Sequence, residues 1–81
     1  MSMAMGAIVE RLIARLVEEG SLLLVEGASV AEITEEVLLA MSRRERPAQV
    51  GAFVSDVLVR SARVEELFLD DQGIARLLSD I

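Results

Sequence analysis

The sequence predicts an all-α fold: a small four-helix domain built from two helical hairpins, with a short extended apolar segment between helices 1 and 2. Apolar residues recur at helical spacing in four stretches, and capping residues and a proline separate these stretches. The chain has 81 residues, which is the length of one domain. We therefore expect residues 1–81 to form a single helical domain in which residues 1–5 are a disordered end.

The first helix is predicted from about residue 5 to Glu19, and Gly20 follows as the left-handed residue that ends a helix. The leucine-rich segment 21–26 shows neither a helical nor an alternating period. Two alternatives stay open for it: a short buried strand, or a loop inserted into the core. The strand requires a partner, and the chain offers no evident second strand.

The second helix is predicted to begin at Ser29, because Ser29 and Glu32 have the spacing of a capping box. Its apolar stripe consists of Ile33, Val37, Leu38 and Met41. Arg46-Pro47 ends it, since the residue before a proline is excluded from the helical region. Pro47 suits the first turn of a third helix, in which Gly51 would allow a neighbouring backbone to come close. The apolar face of that helix consists of Val50, Phe53, Val54, Val57 and Leu58.

The last part of the chain is predicted to contain a single helical turn followed by a fourth helix. Val64, Leu67 and Phe68 have the spacing of one helical turn. Asp70 or Asp71 is the predicted N-cap of the fourth helix. The apolar stripe of that helix consists of Ile74, Leu77, Leu78 and Ile81.

The two halves of the chain share one order of features. A shift of 42 residues places Leu16-Val17 on Leu58-Val59 and aligns each helix, apolar segment and capped helix with its counterpart. The sequence identity is too low to indicate a duplication, so we use the shift only as a description of topology.

The composition disfavours most site chemistry. The chain has no histidine, cysteine or lysine, which removes the usual ligands of zinc, haem and iron–sulfur sites and the commonest general base. We expect no cofactor, no metal and no enzymatic activity. Glu32, Glu35 and Glu36 share a helix face and could ligate a hard cation, but a solvated first helical turn explains them more simply. The net charge of −6 repels nucleic acid, and no apolar run is long enough to span a membrane, so we expect a cytoplasmic protein.

One short segment resembles a known family. Gly27-Ala28-Ser29-Val30 is similar to the Gly-Ala-Asp-Ser-Leu of acyl carrier proteins, which are acidic four-helix chains of similar length. The resemblance implies phosphopantetheine attached to Ser29. The aspartate that precedes the family's serine is absent here, and the loop after the first helix is shorter than in the family. An N-cap serine also explains the position without a cofactor.

The surplus of apolar residues, 53% of the chain, predicts a protein–protein interface. Several aliphatic residues lie off the helical stripes, and three arginines form the one local basic cluster. Complementation of a helix dipole explains the position of these arginines at a helix end more simply than partner binding does. The residues we expect at the interface are Leu22, Leu23, Leu24, Val25, Leu39, Val59, Leu69, Arg43, Arg44 and Arg46. The predicted function is a non-catalytic interaction or assembly module whose partner is a second copy, as a homodimer or higher oligomer, or another protein. The alternative is an acidic regulatory binder, antitoxin-like or inhibitor-like, of a basic protein target. An acyl carrier that uses Ser29 is the least favoured function.

Overall fold

The computed structural model describes residues 4–43 and 49–81, which form four helices and one two-stranded sheet. The elements are α1 (Met5–Glu18), β1 (Leu22–Leu24), α2 (Val30–Ser42), α3 (Val50–Arg60), β2 (Val64–Leu67) and α4 (Asp71–Asp80). The predicted, mostly helical fold is confirmed. The predicted helix boundary at Arg46-Pro47 lies outside the described residues.

Gly20 ends α1 as predicted. Its φ angle of 75° lies in the left-handed region that glycine adopts without strain. The Gly20 N–H donates to the Val17 carbonyl at 3.1 Å, and the Ser21 N–H donates to the Leu16 carbonyl at 2.9 Å. This pair of bonds is the Schellman motif, which satisfies the last carbonyls of the helix and turns the chain directly into β1.

Side-chain caps begin α2 and α4. The Glu32 N–H donates to Ser29 Oγ at 3.2 Å, and the Ser29 N–H donates to Glu32 Oε1 at 2.9 Å, which confirms the capping box. Asp70 is the N-cap of α4, where its Oδ1 accepts from the Gly73 N–H at 2.8 Å. Both caps satisfy amide groups that have no partner within their own helix.

The leucine-rich segment is a strand, and its partner is β2. The two strands are antiparallel, with Leu22 opposite Leu67 and Leu24 opposite Val64. The prediction of a helical turn around Val64 and Leu67 is therefore wrong. The register shifts between Leu23 and Leu24, so β2 contains one residue more than β1 over the same span. Such a bulge separates the two inward residues of β2 by three positions, which is the spacing of a helical turn.

The core contains residues from all four helices and from β1. The buried apolar residues are Val9, Leu12, Ile13, Leu16, Leu22, Ile33, Val37, Phe53, Val54, Leu58 and Ile74. Leu22, which we expected at an interface, is 1% exposed and belongs to this core. Leu24 and Leu69 are half-buried and pack against the core, so these two predicted interface residues are also largely occupied within the chain.

The helices pack in sequence, α1 against α2 and α3 against α4. The close backbone approach that we predicted at Gly51 occurs between α3 and α4. A Cβ atom at Gly51 would lie 2.7 Å from the Asp71 carbonyl oxygen, so α4 starts against a position without a side chain. Within the part of the chain that the structure describes, no helix is both long and apolar enough to cross a membrane.

We predict that Leu22→Ala lowers the free energy of unfolding by about 2–5 kcal/mol, because the substitution leaves a cavity in the core. Leu23→Ala is the matched control, since Leu23 is the next residue of the same strand and is 43% exposed. Its expected cost is below about 1 kcal/mol. Urea unfolding measures both values, and equal costs would contradict the assignment of Leu22 to the core.

We predict that Gly51→Ala destabilises the protein by about 1–3 kcal/mol although alanine favours helices, since the new Cβ would press on backbone. Gly6→Ala in α1 is the control. A Cβ at Gly6 would meet Leu38 at 3.6 Å, an ordinary contact, so this substitution should stabilise by up to about 1 kcal/mol. Thermal unfolding measures the change in stability of both variants. A change in the same direction for both would contradict the close approach at Gly51.

Candidate functional site: a groove between α2 and α3

A groove with a volume of about 450 Å³ runs between α2 and α3. Its apolar lining consists of Leu39 and Ala40 from α2 and of Phe53 and Val57 from α3. Phe53 is 7% exposed, whereas Leu39 is 52% exposed. Leu39 also lines a second depression, of about 270 Å³. Leu39 is therefore an exposed apolar residue that borders two concave regions.

The rim of the groove carries two acidic and two basic side chains. Glu36 and Arg43 belong to α2, and Asp56 and Arg60 belong to α3. The Arg60 Nε donates to Asp56 Oδ1 at 3.0 Å, and both side chains are exposed. Arg43 makes no ion pair within the described residues. The rim thus has a formal charge of zero on a chain whose net charge is −6.

A hydrogen-bond network holds the acidic side of the groove. The buried Ser61 donates from Oγ to Glu36 Oε1 at 2.7 Å, and Arg63 donates from Nη1 to the same oxygen at 3.2 Å. The Arg63 N–H donates in turn to Ser61 Oγ at 3.1 Å. These bonds connect α2 to the residues that lead into β2, so the groove and the sheet have a fixed relation.

Glu32 extends this network to the start of α2. The Ser29 N–H bond to its carboxylate lowers the pKa of Glu32 most, followed by the Ser29 hydroxyl and, further away, Arg63 at 3.6 Å. Each of these groups favours the charged carboxylate. The Ser29 hydroxyl, which the acyl carrier resemblance would use as an attachment point, donates to Glu32 Oε1 at 3.1 Å and accepts from the Glu32 N–H.

The chemical groups at the groove and its network are hydroxyl, carboxylate and guanidinium groups. Ser61 lies against a carboxylate, but the chain has no histidine to act as a general base for its hydroxyl. Over residues 4–43 and 49–81, no group of three or more acidic side chains is placed to hold a metal ion. The groove is an open channel with an apolar lining and a balanced rim, which is suited to contact with another protein surface.

The structure distributes the predicted interface residues over several places. Leu39 and Arg43 lie at the groove. Leu23 is exposed on the outer face of the sheet, and Val59, which is 67% exposed, is on α3 outside the groove lining. Val25 is half-buried after β1.

The remaining predicted residues are not at the groove. Leu22 is in the core, and Leu24 and Leu69 pack against it. Arg44 and Arg46 lie outside the described residues.

The α3 residues that line the groove were not among the predicted interface residues. Asp56 and Arg60 are an i, i+4 pair of opposite charge, and that spacing is a detectable signal of a shared helix face. Phe53 and Val57 were correctly placed on the apolar face of α3, but an apolar stripe alone does not indicate which of its residues border a groove. The exposure of Phe68 was also missed, because the predicted helical turn placed it on an apolar stripe.

Comparison of the chain with protein-family models, with curated proteins and with solved structures gave no significant match.

We predict that stability falls in acid partly through Glu32. Because the folded protein lowers the pKa of this carboxylate, its contribution is present at neutral pH and is lost as the pH falls through the lowered pKa. Glu32→Gln should therefore reduce the loss of stability on acidification, measured as the urea midpoint at neutral pH and at a pH near 3. Glu35→Gln, a neighbouring exposed site with no ion pair in the described part of the chain, is the control. Identical pH profiles for wild type and Glu32→Gln would contradict this role.

Proposed function

We propose that this chain is a non-catalytic assembly module that self-associates through the groove between α2 and α3. In this proposal two copies meet about a two-fold axis, and each Leu39 side chain enters the groove of the other copy. The observation that carries the proposal is the position of Leu39, a leucine that is 52% exposed and borders an apolar channel.

Apolar contact supplies the driving force. Leu39 exposes about half of its surface, and the half-buried Ala40 and Val57 line the channel next to it. Burial of apolar surface contributes about 25 cal/mol per Å². An interface of this kind in which each copy provides the same patch is self-complementary, so both leucines are buried at once.

The charges of the rim favour a second copy over other partners. Two acidic and two basic groups surround the same groove, so a two-fold axis can bring Arg43 of one copy to the partner's Asp56 and the reverse. A uniformly basic or acidic partner would match only half of the rim. The local neutrality of the rim also limits the repulsion that two chains of charge −6 would otherwise meet at the interface.

The size of the groove indicates a modest interface. Stable complexes usually bury about 800 Å² on each partner, and weak or transient ones bury less. The groove and the adjoining depression occupy one side of a molecule whose extents are 34 × 25 × 22 Å. We therefore expect a reversible dimer in rapid exchange with the monomer.

We predict that Leu39→Glu abolishes self-association without unfolding the chain, because the residue is exposed in the monomer and a glutamate would be desolvated in the dimer. Val59→Glu is the matched control. Val59 is more exposed than Leu39 but lies outside the groove, so this substitution should leave association unchanged. Sedimentation velocity over a wide range of concentration measures the effect, with circular dichroism as the check of folding. A wild-type chain that stays monomeric throughout contradicts the proposal, as does an equal effect of the two substitutions.

Charge exchange across the groove tests the geometry of the dimer. Arg43→Asp alone should weaken association about tenfold, since it opposes two carboxylates across the interface. Combining Arg43→Asp with Asp56→Arg should restore most of the lost affinity. Failure of the double variant to recover would show that these two positions do not face each other.

A further inference from the structure

The outer face of the sheet has a different chemistry from the groove. On this face Leu23 lies opposite Glu66, and the Phe68 N–H donates to the Ser21 carbonyl at 2.8 Å, which extends the pairing beyond β2. Leu23 is 43% exposed and Phe68 is 58% exposed. Since they are diagonal neighbours across the two strands, the two residues are expected to lie about 7–8 Å apart, within reach of an aromatic side chain.

The bulge adds carboxylates to this apolar pair. Because β2 has one extra residue opposite Leu23 and Leu24, Glu65 and Glu66 are both exposed instead of alternating between the two faces. Neither carboxylate makes an ion pair or a side-chain hydrogen bond within the described residues. Arg63, the arginine closest to them along the chain, is engaged by Glu32 and Glu36. The ribbon face, which we define as Leu23, Glu65, Glu66 and Phe68, is therefore apolar at its centre and acidic around it.

We propose that the ribbon face docks a basic, extended segment of a partner protein. The apolar side chains of that segment pack on Leu23 and Phe68, and its arginine or lysine side chains pair with Glu65 and Glu66. Phe68 adds a favourable site for arginine, because a guanidinium stacks on an aromatic ring. The interaction goes beyond the proposed self-association and uses none of the groove residues. A segment in which basic and apolar residues occupy every second position in turn fits best, because every second side chain of an extended chain points to the same face.

The charge of the ribbon face argues against other occupants. A second copy would bring the two glutamates of each chain against those of the other, and opposed like charges destabilise a pair of strands. Anionic membrane surfaces and nucleic acid carry the same sign of charge as the ribbon face and are repelled. A basic protein segment satisfies both the exposed apolar pair and the carboxylates that lack a cation.

The direct test is the binding of a fluorescent synthetic peptide in which arginine and valine take turns at every second position with serine between them, so that both face the same side. Fluorescence anisotropy with the full chain measures the affinity. Glu65→Gln combined with Glu66→Gln should weaken binding about tenfold, and Phe68→Ser should weaken it by a similar factor. The matched control is Glu10→Gln combined with Glu18→Gln, which removes the same charge from exposed positions of α1. This control should change the affinity less than about twofold. A peptide with glutamine in place of arginine should not bind.

Three results would overturn the proposal. The first is no binding of the arginine–valine peptide to the wild-type chain. The second is an equal loss of affinity in the two double glutamine variants, which would mean that net charge alone attracts the peptide. The third is that the wild-type chain adsorbs to anionic lipid vesicles, or self-associates, and that Phe68→Ser removes this binding. The Leu39→Glu variant should still bind the peptide but should not self-associate. Failure of the proposed self-association and failure of the proposed peptide binding are therefore distinguishable.

Discussion

The pairing of β1 with β2 is the constraint on which the rest of the structure depends. Each half of the chain contributes one strand, so neither half completes the sheet alone. The inner face of this short ribbon carries Leu22 into the core, and the Val25 N–H donates to the Arg63 carbonyl at 3.0 Å where the pairing ends. That end of the ribbon places Ser61 and Arg63 against Glu36 of α2. The acidic side of the groove is thus positioned by the same contact that closes the fold.

The two proposed surfaces differ in charge, and the difference follows from where the arginines are engaged. Arg63 is held by α2, so the glutamates of the bulge have no cation beside them in the described part of the chain. At the groove, Arg43 and Arg60 remain at the rim with two carboxylates. A balanced rim favours a second copy of an acidic chain, and an unbalanced acidic face favours a basic segment. The two proposed surfaces share no residue.

Local signals in the sequence were sufficient for the helices. The Ser29 and Glu32 spacing, Gly20 and the aspartate cap of α4 each have a mechanism that operates within five residues. The first two predictions are confirmed, and of the two predicted caps, Asp70 and Asp71, the structure has Asp70. The sheet could not be predicted in the same way, because strand pairing joins residues about forty positions apart. The bulge made the difficulty worse, since the exposed Glu65 and Glu66 give β2 the apolar spacing of a helix. The shared order of the two halves was visible in the sequence, and it would have paired the two apolar segments had both been interpreted as strands.

The groove was predictable only in part for a related reason. The off-stripe position of Leu39 marked it as exposed, but no pattern in the sequence indicates which part of α3 borders it. The surplus of aliphatic residues in the sequence predicted an interface. In the structure, however, Leu22 is buried in the core and Leu24 packs against it. Fewer aliphatic residues are consequently exposed for association than the composition suggested.

The most direct test of self-association through a neutral groove is the dimerisation constant at two salt concentrations, measured by sedimentation equilibrium. Two chains of charge −6 about 25 Å apart repel by roughly 2 kcal/mol more at ~0.01 M than at ~0.15 M salt, because the Debye length falls from about 30 to 8 Å. Exposed ion pairs across the rim lose less than this on screening. The account predicts association about tenfold tighter at the higher salt concentration. Association that weakens as salt rises would contradict it, since that result would require an interface held by opposite charges.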